Sequence, residues 1–245
     1  MIKAISFDFY NTLARFWPPL EEIQQAACQE LGLHVSKNAI ALGYSVADTY
    51  FNQENAKEPF ARRSEEERLA FFAQYEQIML ESAGVPVSLD LALQVWKMAM
   101  SMPKDFIVFE DAIPALADLR SAGYRLGVLS NLRRNMDSLC QRLGLAPYLD
   151  FCISPTEAGA VKPHAPMFLA ALERMAAAPG ETVHVGDQYQ SDVLGARAVG
   201  MHPVLIDRGG WKAEVDDCPR IASLLDLPGL LANAPRSLTA NNHKP

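Results

Sequence analysis

The run Phe7-Asp8-Phe9-Tyr10-Asn11-Thr12-Leu13 delivers a carboxylate at the end of a short apolar stretch near the start of the chain. The same device recurs as Val183-His184-Val185-Gly186-Asp187, with a further acid at Asp192. A carboxylate at the carboxyl end of a buried strand can attack an electrophile or bind a cation. Two such strand ends together suit metal-assisted phosphoryl transfer. Taken singly, Asp8 reads equally well as a turn residue or a helix cap, and Gly186-Asp187 carries the same ambiguity. Their recurrence at equivalent strand ends is what favours a site. Ser130-Asn131 closes the run Leu126-Gly127-Val128-Leu129. A hydroxyl with neighbouring backbone N–H groups there is a cradle for a phosphoryl oxygen, although a bare Ser-Asn turn is common. Lys162 lies in Val161-Lys162-Pro163-His164-Ala165-Pro166, where proline holds the backbone away from helix. Its ammonium could neutralise an attacking carboxylate and a transferring group; without such context a lysine is a solvated charge.

The elements that must hold these residues fall into two textures. Short apolar runs at Lys3–Phe7, Tyr124–Leu129, Phe151–Ile153, Thr182–Val185 and Pro203–Ile206 lack alternation, as expected of strands buried on both faces of a parallel sheet. Helical patterns separate them: Ile113, Leu116 and Leu119 before Gly123, then Met167 to Met175, then Val193 to Val199 before Gly200. This predicts an α/β fold, a Rossmann-like open parallel sheet flanked by helices, whose ligands gather beyond the carboxyl ends of the strands.

Residues 16–105 have the second texture, with no convincing strand. Leu20, Ile23, Ala27 and Leu31 form one helical stripe; Ile40, Tyr44, Ala47 and Phe51 form another. Ser64 and Glu67 have capping-box spacing ahead of Leu69, Phe72 and Met79, and Leu89, Leu93, Trp96 and Met100 make a fourth stripe. The expected organisation is an α/β core at 1–15 and 106–235, an inserted all-α four-helix cap at 16–105, and a frayed tail at 236–245. Phe16, Trp17, Tyr44 and Trp96 read first as packing within the insertion and second as pocket lining.

Composition narrows the partners. The 245 residues carry a formal charge of −7 with acids and bases interspersed, so nucleic acid and anionic membrane surfaces find no electrostatic support. Arg62-Arg63 and Arg133-Arg134 read as solvated faces. No apolar run approaches the ~20 residues of a membrane span, and an acid at position 8 interrupts any secretory leader. A cytoplasmic setting is expected. Cys28, Cys140, Cys152 and Cys218 have no paired metal-ligand spacing.

In order and spacing, these motifs resemble the haloacid dehalogenase superfamily, most of whose members are phosphatases. The D-x-D-x-T motif of that family matches Asp8-Phe9-Tyr10-Asn11-Thr12, its Ser/Thr-ended strand matches Val128-Leu129-Ser130-Asn131, its lysine motif matches Lys162-Pro163, and G-D-x-x-x-x-D matches Gly186 to Asp192. The resemblance spans about Met1 to Asp207, including a helical cap between the first two motifs. It implies Asp8 as the nucleophile that forms an aspartyl-phosphate, with Ser130 and Lys162 holding the phosphoryl oxygens and Thr12 and Asn131 contacting substrate. It further implies Mg²⁺ held by Asp8, Asp187 and the backbone carbonyl of Tyr10, with Asp192 orienting a metal-bound water or Lys162. The implied substrate is a small phosphate ester.

Tyr10 departs from the family's phosphatases, which carry an aspartate there as acid for the leaving group and base for water. A phenol with an ordinary pKa near 10 is a poor base at neutral pH, and losing positioned acid–base help costs about 10²–10⁴ in rate. A D-x-Y-x-T motif also occurs in the family's 2-haloacid dehalogenases, where the carboxylate displaces halide at carbon without a metal. Those enzymes typically lack the Gly-Asp of the fourth motif, present here as Gly186-Asp187, and use a cap arginine. No arginine lies between Phe16 and Ala61; Arg15 or Arg62 would have to substitute. Dehalogenation is therefore the alternative expectation, with a weakly active ligand- or partner-binding scaffold as a third.

Overall fold

The computed structural model describes residues 1–58 and 62–232; the expected tail at 236–245 lies outside them. The chain divides into two compact units, one formed by Met1–Arg15 with the chain from Ile107 onward, the other by Phe16–Phe106.

In chain order the elements are β1 (Ala4–Phe7), β2 (Ala14–Trp17), α1 (Leu20–Glu30), α2 (Lys37–Lys57), α3 (Glu65–Ser82), α4 (Leu89–Ser101) and β3 (Asp105–Val108). There follow α5 (Ala112–Ser121), β4 (Arg125–Leu129), α6 (Met136–Arg142), β5 (Phe151–Ile153), α7 (Pro155–Ala158), α8 (Ala165–Met175), β6 (Thr182–Gly186), α9 (Leu194–Ala198), β7 (His202–Ile206), β8 (Arg220–Ile221) and α10 (Leu227–Ala232).

The first unit is an α/β fold built on a six-stranded sheet in the order β5-β4-β1-β6-β7-β8, with every pairing parallel. Strand β1 is fully buried between β4 and β6, which explains its unbroken apolar character. The register sets Phe7 level with Val128 of β4 and Val185 of β6. The residues that follow each strand therefore emerge side by side at one edge, where the strand order reverses. Helix α8 buries Met167, Phe168, Ala171, Leu172 and Met175 in a core shared with Leu129, Phe151 and Ile153.

The second unit packs its four helices around Ile23, Ala27, Cys28, Ile40, Ala47, Met79, Leu80, Val95 and Ala99. A Cβ on Gly43 of α2 would fall 2.3 Å from the Met79 carbonyl oxygen, so α2 and α3 approach through this glycine. The capping box forms: Ser64 accepts from the Glu67 N–H and Glu67 from the Ser64 N–H. Two expectations need correction. Helix α4 buries Ala92, Val95 and Ala99 while Leu89 and Met100 are exposed; small residues let it pack closely, and the larger apolar residues lie one position round. Residues 16–105 also contain strand, because β2 and β3 pair as a separate two-stranded sheet and the division between the units runs through both strands. The Phe16 and Phe106 rings stack there with centroids 4.4 Å apart. Trp96 stacks on Phe72 at 4.3 Å, so it packs within the helical unit.

Candidate active site

Asp8 follows β1 directly, its N–H donating to the Val185 carbonyl at 2.8 Å, so the strand pairing itself aims the residue out of the sheet edge. Asn11 then takes a positive φ of 59°, a conformation that asparagine tolerates better than most residues, and its N–H donates to the Ala14 carbonyl. This tight turn buries Thr12, whose Oγ1 has no hydrogen-bond partner, and leaves Tyr10 half-buried.

Lys162 joins the strand ends. Its ammonium donates to Asp8 Oδ1 at 2.5 Å and to Asp192 Oδ1 at 2.6 Å, and all three side chains are buried. Its backbone is held just as firmly, for the Asn131 amide accepts from the Lys162 N–H at 2.7 Å and donates to the Lys162 carbonyl at 3.1 Å. Both ends of that amide thus serve the lysine loop. Ser130 is buried beside it, its N–H donating to the Ile153 carbonyl and its Oγ accepting from the Leu132 N–H.

Asp192 lies in a π turn over Tyr189–Val193 that precedes α9, so the predicted 193–199 helix starts irregularly. Such insertions are frequent at functional sites. The turn brings Asp192 Oδ2 to the Gln188 N–H at 2.9 Å, while Oδ1 also receives His184 Nε2 at 3.1 Å. Gly186 makes room: a Cβ there would fall 2.2 Å from the Asp192 Cγ. Asp187, one residue on, is more open. Carboxylate oxygens of Asp8, Asp187 and Asp192 all lie within 4.8 Å of one another.

The electrostatics follow from one ammonium shared among several acids. Burial would pull Lys162 down, but the carboxylates of Asp192 and Asp8 outweigh it and hold the ammonium above its ordinary range. Burial would raise Asp192, yet Lys162 and His184 hold it well below the usual carboxylate range. Asp8 goes the other way: burial pushes its carboxyl up to about 6, against the pull of Lys162 and with a further push from Asp192. The two acids part because Asp192 has three donors and Asp8 shares a lysine whose charge is already engaged. The carboxylates of Asp8, Asp187 and Asp192 gather hard oxygen donors in one place, which suits a divalent cation such as Mg²⁺.

Asp8, Tyr10, Thr12, Ser130, Asn131, Lys162, Asp187 and Asp192 all lie in the first unit, in the segments that follow β1, β4, β5 and β6. His184 was not singled out; its signal was a buried polar residue within an otherwise apolar strand. Lys212 was also missed. Its loop is turned by Asp207, which accepts from the Trp211 and Lys212 N–H groups, and the Lys212 ammonium donates to the Asp187 carbonyl.

Comparison with known proteins identifies the family. A haloacid dehalogenase-like hydrolase family model matches residues 2–200. The haloacid dehalogenase-like hydrolase domain-containing protein 3 of Homo sapiens is 31% identical over 211 residues, 84% of this chain and 82% of that protein. The ribulose-1,5-bisphosphate 5-phosphatase of Halopiger xanaduensis is 28% identical over 228 residues, 91% of this chain and 92% of that one. Among solved structures, the 2-haloacid dehalogenase of Pseudomonas syringae pv. Tomato superposes with a TM-score of 0.56 at 26% identity, covering 95% of this chain and 99% of that one. The sheet edge that gathers Asp8, Lys162 and Asp192 thus belongs to a hydrolase, and the chain is a member of the haloacid dehalogenase-like hydrolase family.

Proposed function

We propose that this hydrolase is a Mg²⁺-dependent phosphatase of small phosphorylated metabolites, with Asp8 as its nucleophile. The observation that carries the reading is the Asp187 carboxylate clustered with Asp8 and Asp192, an acidic group that could hold a metal and that attack at carbon does not require. Similarity to a sugar-bisphosphate phosphatase over nearly the whole chain supports it.

Asp8 attacks phosphorus in line, the P–O bond to the alcohol breaks, and water then hydrolyses the aspartyl-phosphate to release phosphate. Lys162, already against Asp8, is placed to hold a phosphoryl oxygen as charge spreads over the equatorial positions, and Ser130 would hold another. Asp8, Asp187 and the Tyr10 carbonyl would hold the ion, which when bound stabilises charge on the phosphoryl group. Asp192, whose oxygens already receive three donors, orients Lys162. Asn131 holds the lysine backbone with both ends of its amide. Residues 16–105, inserted between the first and second motifs, are the cap that selects among phosphate esters.

Tyr10 favours a second reading, 2-haloacid dehalogenation, in which the leaving halide needs no proton. One experiment separates the two. Pure protein is assayed on an activated aryl phosphate, with Mg²⁺ and with chelator, beside Asp8→Asn. Magnesium-dependent turnover that disappears in Asp8→Asn supports the phosphatase. Failure of both, with halide release from 2-haloacids, supports the dehalogenase; phosphoester binding without turnover supports a binding scaffold.

A further inference from the structure

The hydrogen-bond chain that holds Lys162 continues inward past Asp192. His184 Nε2 lies 3.1 Å from Asp192 Oδ1, and His184 Nδ1 lies 2.8 Å from Ser6 Oγ. Ser6 and His184 are register partners on adjacent strands, β1 and β6, and both are fully buried. Phe168 meets the imidazole edge-on, with centroids 5.2 Å apart. A buried imidazole in a sheet core is costly unless both nitrogens are partnered, and here both are. The five side chains Ser6, His184, Asp192, Lys162 and Asp8 form one continuous relay to the nucleophile.

The chemistry of the partners fixes the tautomer. An ionised carboxylate only accepts, so Nε2 carries the proton. The Nδ1 lone pair then accepts the Ser6 hydroxyl proton at 2.8 Å, ahead of the more distant Val183 carbonyl at 3.5 Å from Ser6 Oγ. Resting on the phosphatase reading, we propose that His184, locked by Ser6 as the Nε2–H tautomer, is a positioning residue that turns the Asp192 carboxylate toward Lys162 and so sets the ammonium against Asp8. The role involves no proton transfer: Nε2–H donates throughout the cycle, and its loss would leave Asp192 Oδ1 with the lysine alone.

Two measurements test this. In the ¹⁵N-labelled full chain, imidazole resonances at neutral pH should show His184 as a single neutral Nε2–H tautomer, altered in Ser6→Ala; an Nδ1–H or doubly protonated ring overturns the proposal whether or not the protein turns over phosphate esters. In aryl-phosphate kinetics with saturating Mg²⁺, folded His184→Phe should lose about 10–10²-fold in kcat with KM little changed. His184→Gln, whose amide nitrogen can still donate to Asp192, should recover most of it. The loss should largely vanish in an Asp192→Asn background, since residues acting through one another are not additive. An unchanged kcat in His184→Phe, no rescue by glutamine, or full additivity overturns it. Should His184→Phe not fold, the kinetic test passes to Ser6→Ala, where lowered kcat is expected and wild-type kcat overturns the role. Absence of wild-type turnover fails the phosphatase reading alone, leaving the tautomer result to decide His184.

Discussion

Lys162 Nζ stands 2.5 Å from Asp8 Oδ1 although 154 residues separate the two in sequence, and both are buried. Removing one member of a buried ion pair leaves the other charge uncompensated, which typically costs about 3–5 kcal/mol. Lys162→Met should therefore lose turnover and also stability, since Asp8 and Asp192 would then face each other without a cation. Urea denaturation alongside the aryl-phosphate assay checks both. A variant as stable as wild type would show that the acids do not repel as argued.

Gly186 is where the site tolerates no side chain. A Cβ there falls 2.2 Å from Asp192 Cγ and 2.3 Å from its Oδ2, so Gly186→Ala must displace the carboxylate that holds Lys162. The expected result is a fall in turnover of at least about tenfold, because small displacements of positioned groups are expensive in rate. A comparison with Gly180→Ala, which meets nothing within 4 Å, separates this from a general effect of substituting glycine.

Tyr10→Asp tests the missing acid–base group. If the phenol is only the absent carboxylate, turnover should rise, by up to about 10²-fold for alkyl phosphates with poor leaving groups and much less for aryl phosphates. A series of esters graded by leaving-group pKa reads this directly. No gain for any ester, or a loss, would give Tyr10 a role of its own.

The helical unit contains an acid unrelated to the site. Glu76 is 1% exposed and accepts from Gln24, whose own carbonyl accepts from Tyr44 at 3.0 Å. Burial pushes its carboxyl from 4.5 up to about 8. A pKa raised on folding contributes stability that is fully present below the unfolded value and lost as pH rises through the folded one. Stability should thus decline between about pH 4.5 and 8 and level off above, by an amount on the order of a few kcal/mol. Glu76→Gln, which mimics the protonated form, should raise Tm increasingly from pH 5 to 8 and by a constant amount beyond. An equal gain at pH 5 and pH 8 would contradict the assignment.

What the sequence determined by itself was local. Unbroken apolar runs reported buried parallel strands, because strands covered on both faces have no polar side to alternate. The acids ending two such runs, Asp8 and Asp187, marked one edge of the sheet, and the Ser64–Glu67 capping box named its helix end. Tyr10 was visible as a chemical departure before any coordinates. Contacts that depend on strand order and register were not legible: that Lys162 reaches both Asp8 and Asp192, that Asn131 clamps the lysine backbone, and that His184 pairs with Ser6 across β1 and β6. Those pairs are made by segments distant in the chain, and no short-range pattern records which strand lies next to which. The buried face of α4 departs from the expected stripe for a related reason, since size favours Leu89 and Met100 while close packing selects Ala92 and Ala99. Residue types and spacing thus declared the kind of chemistry, and tertiary packing decided which atoms stand close enough to perform it.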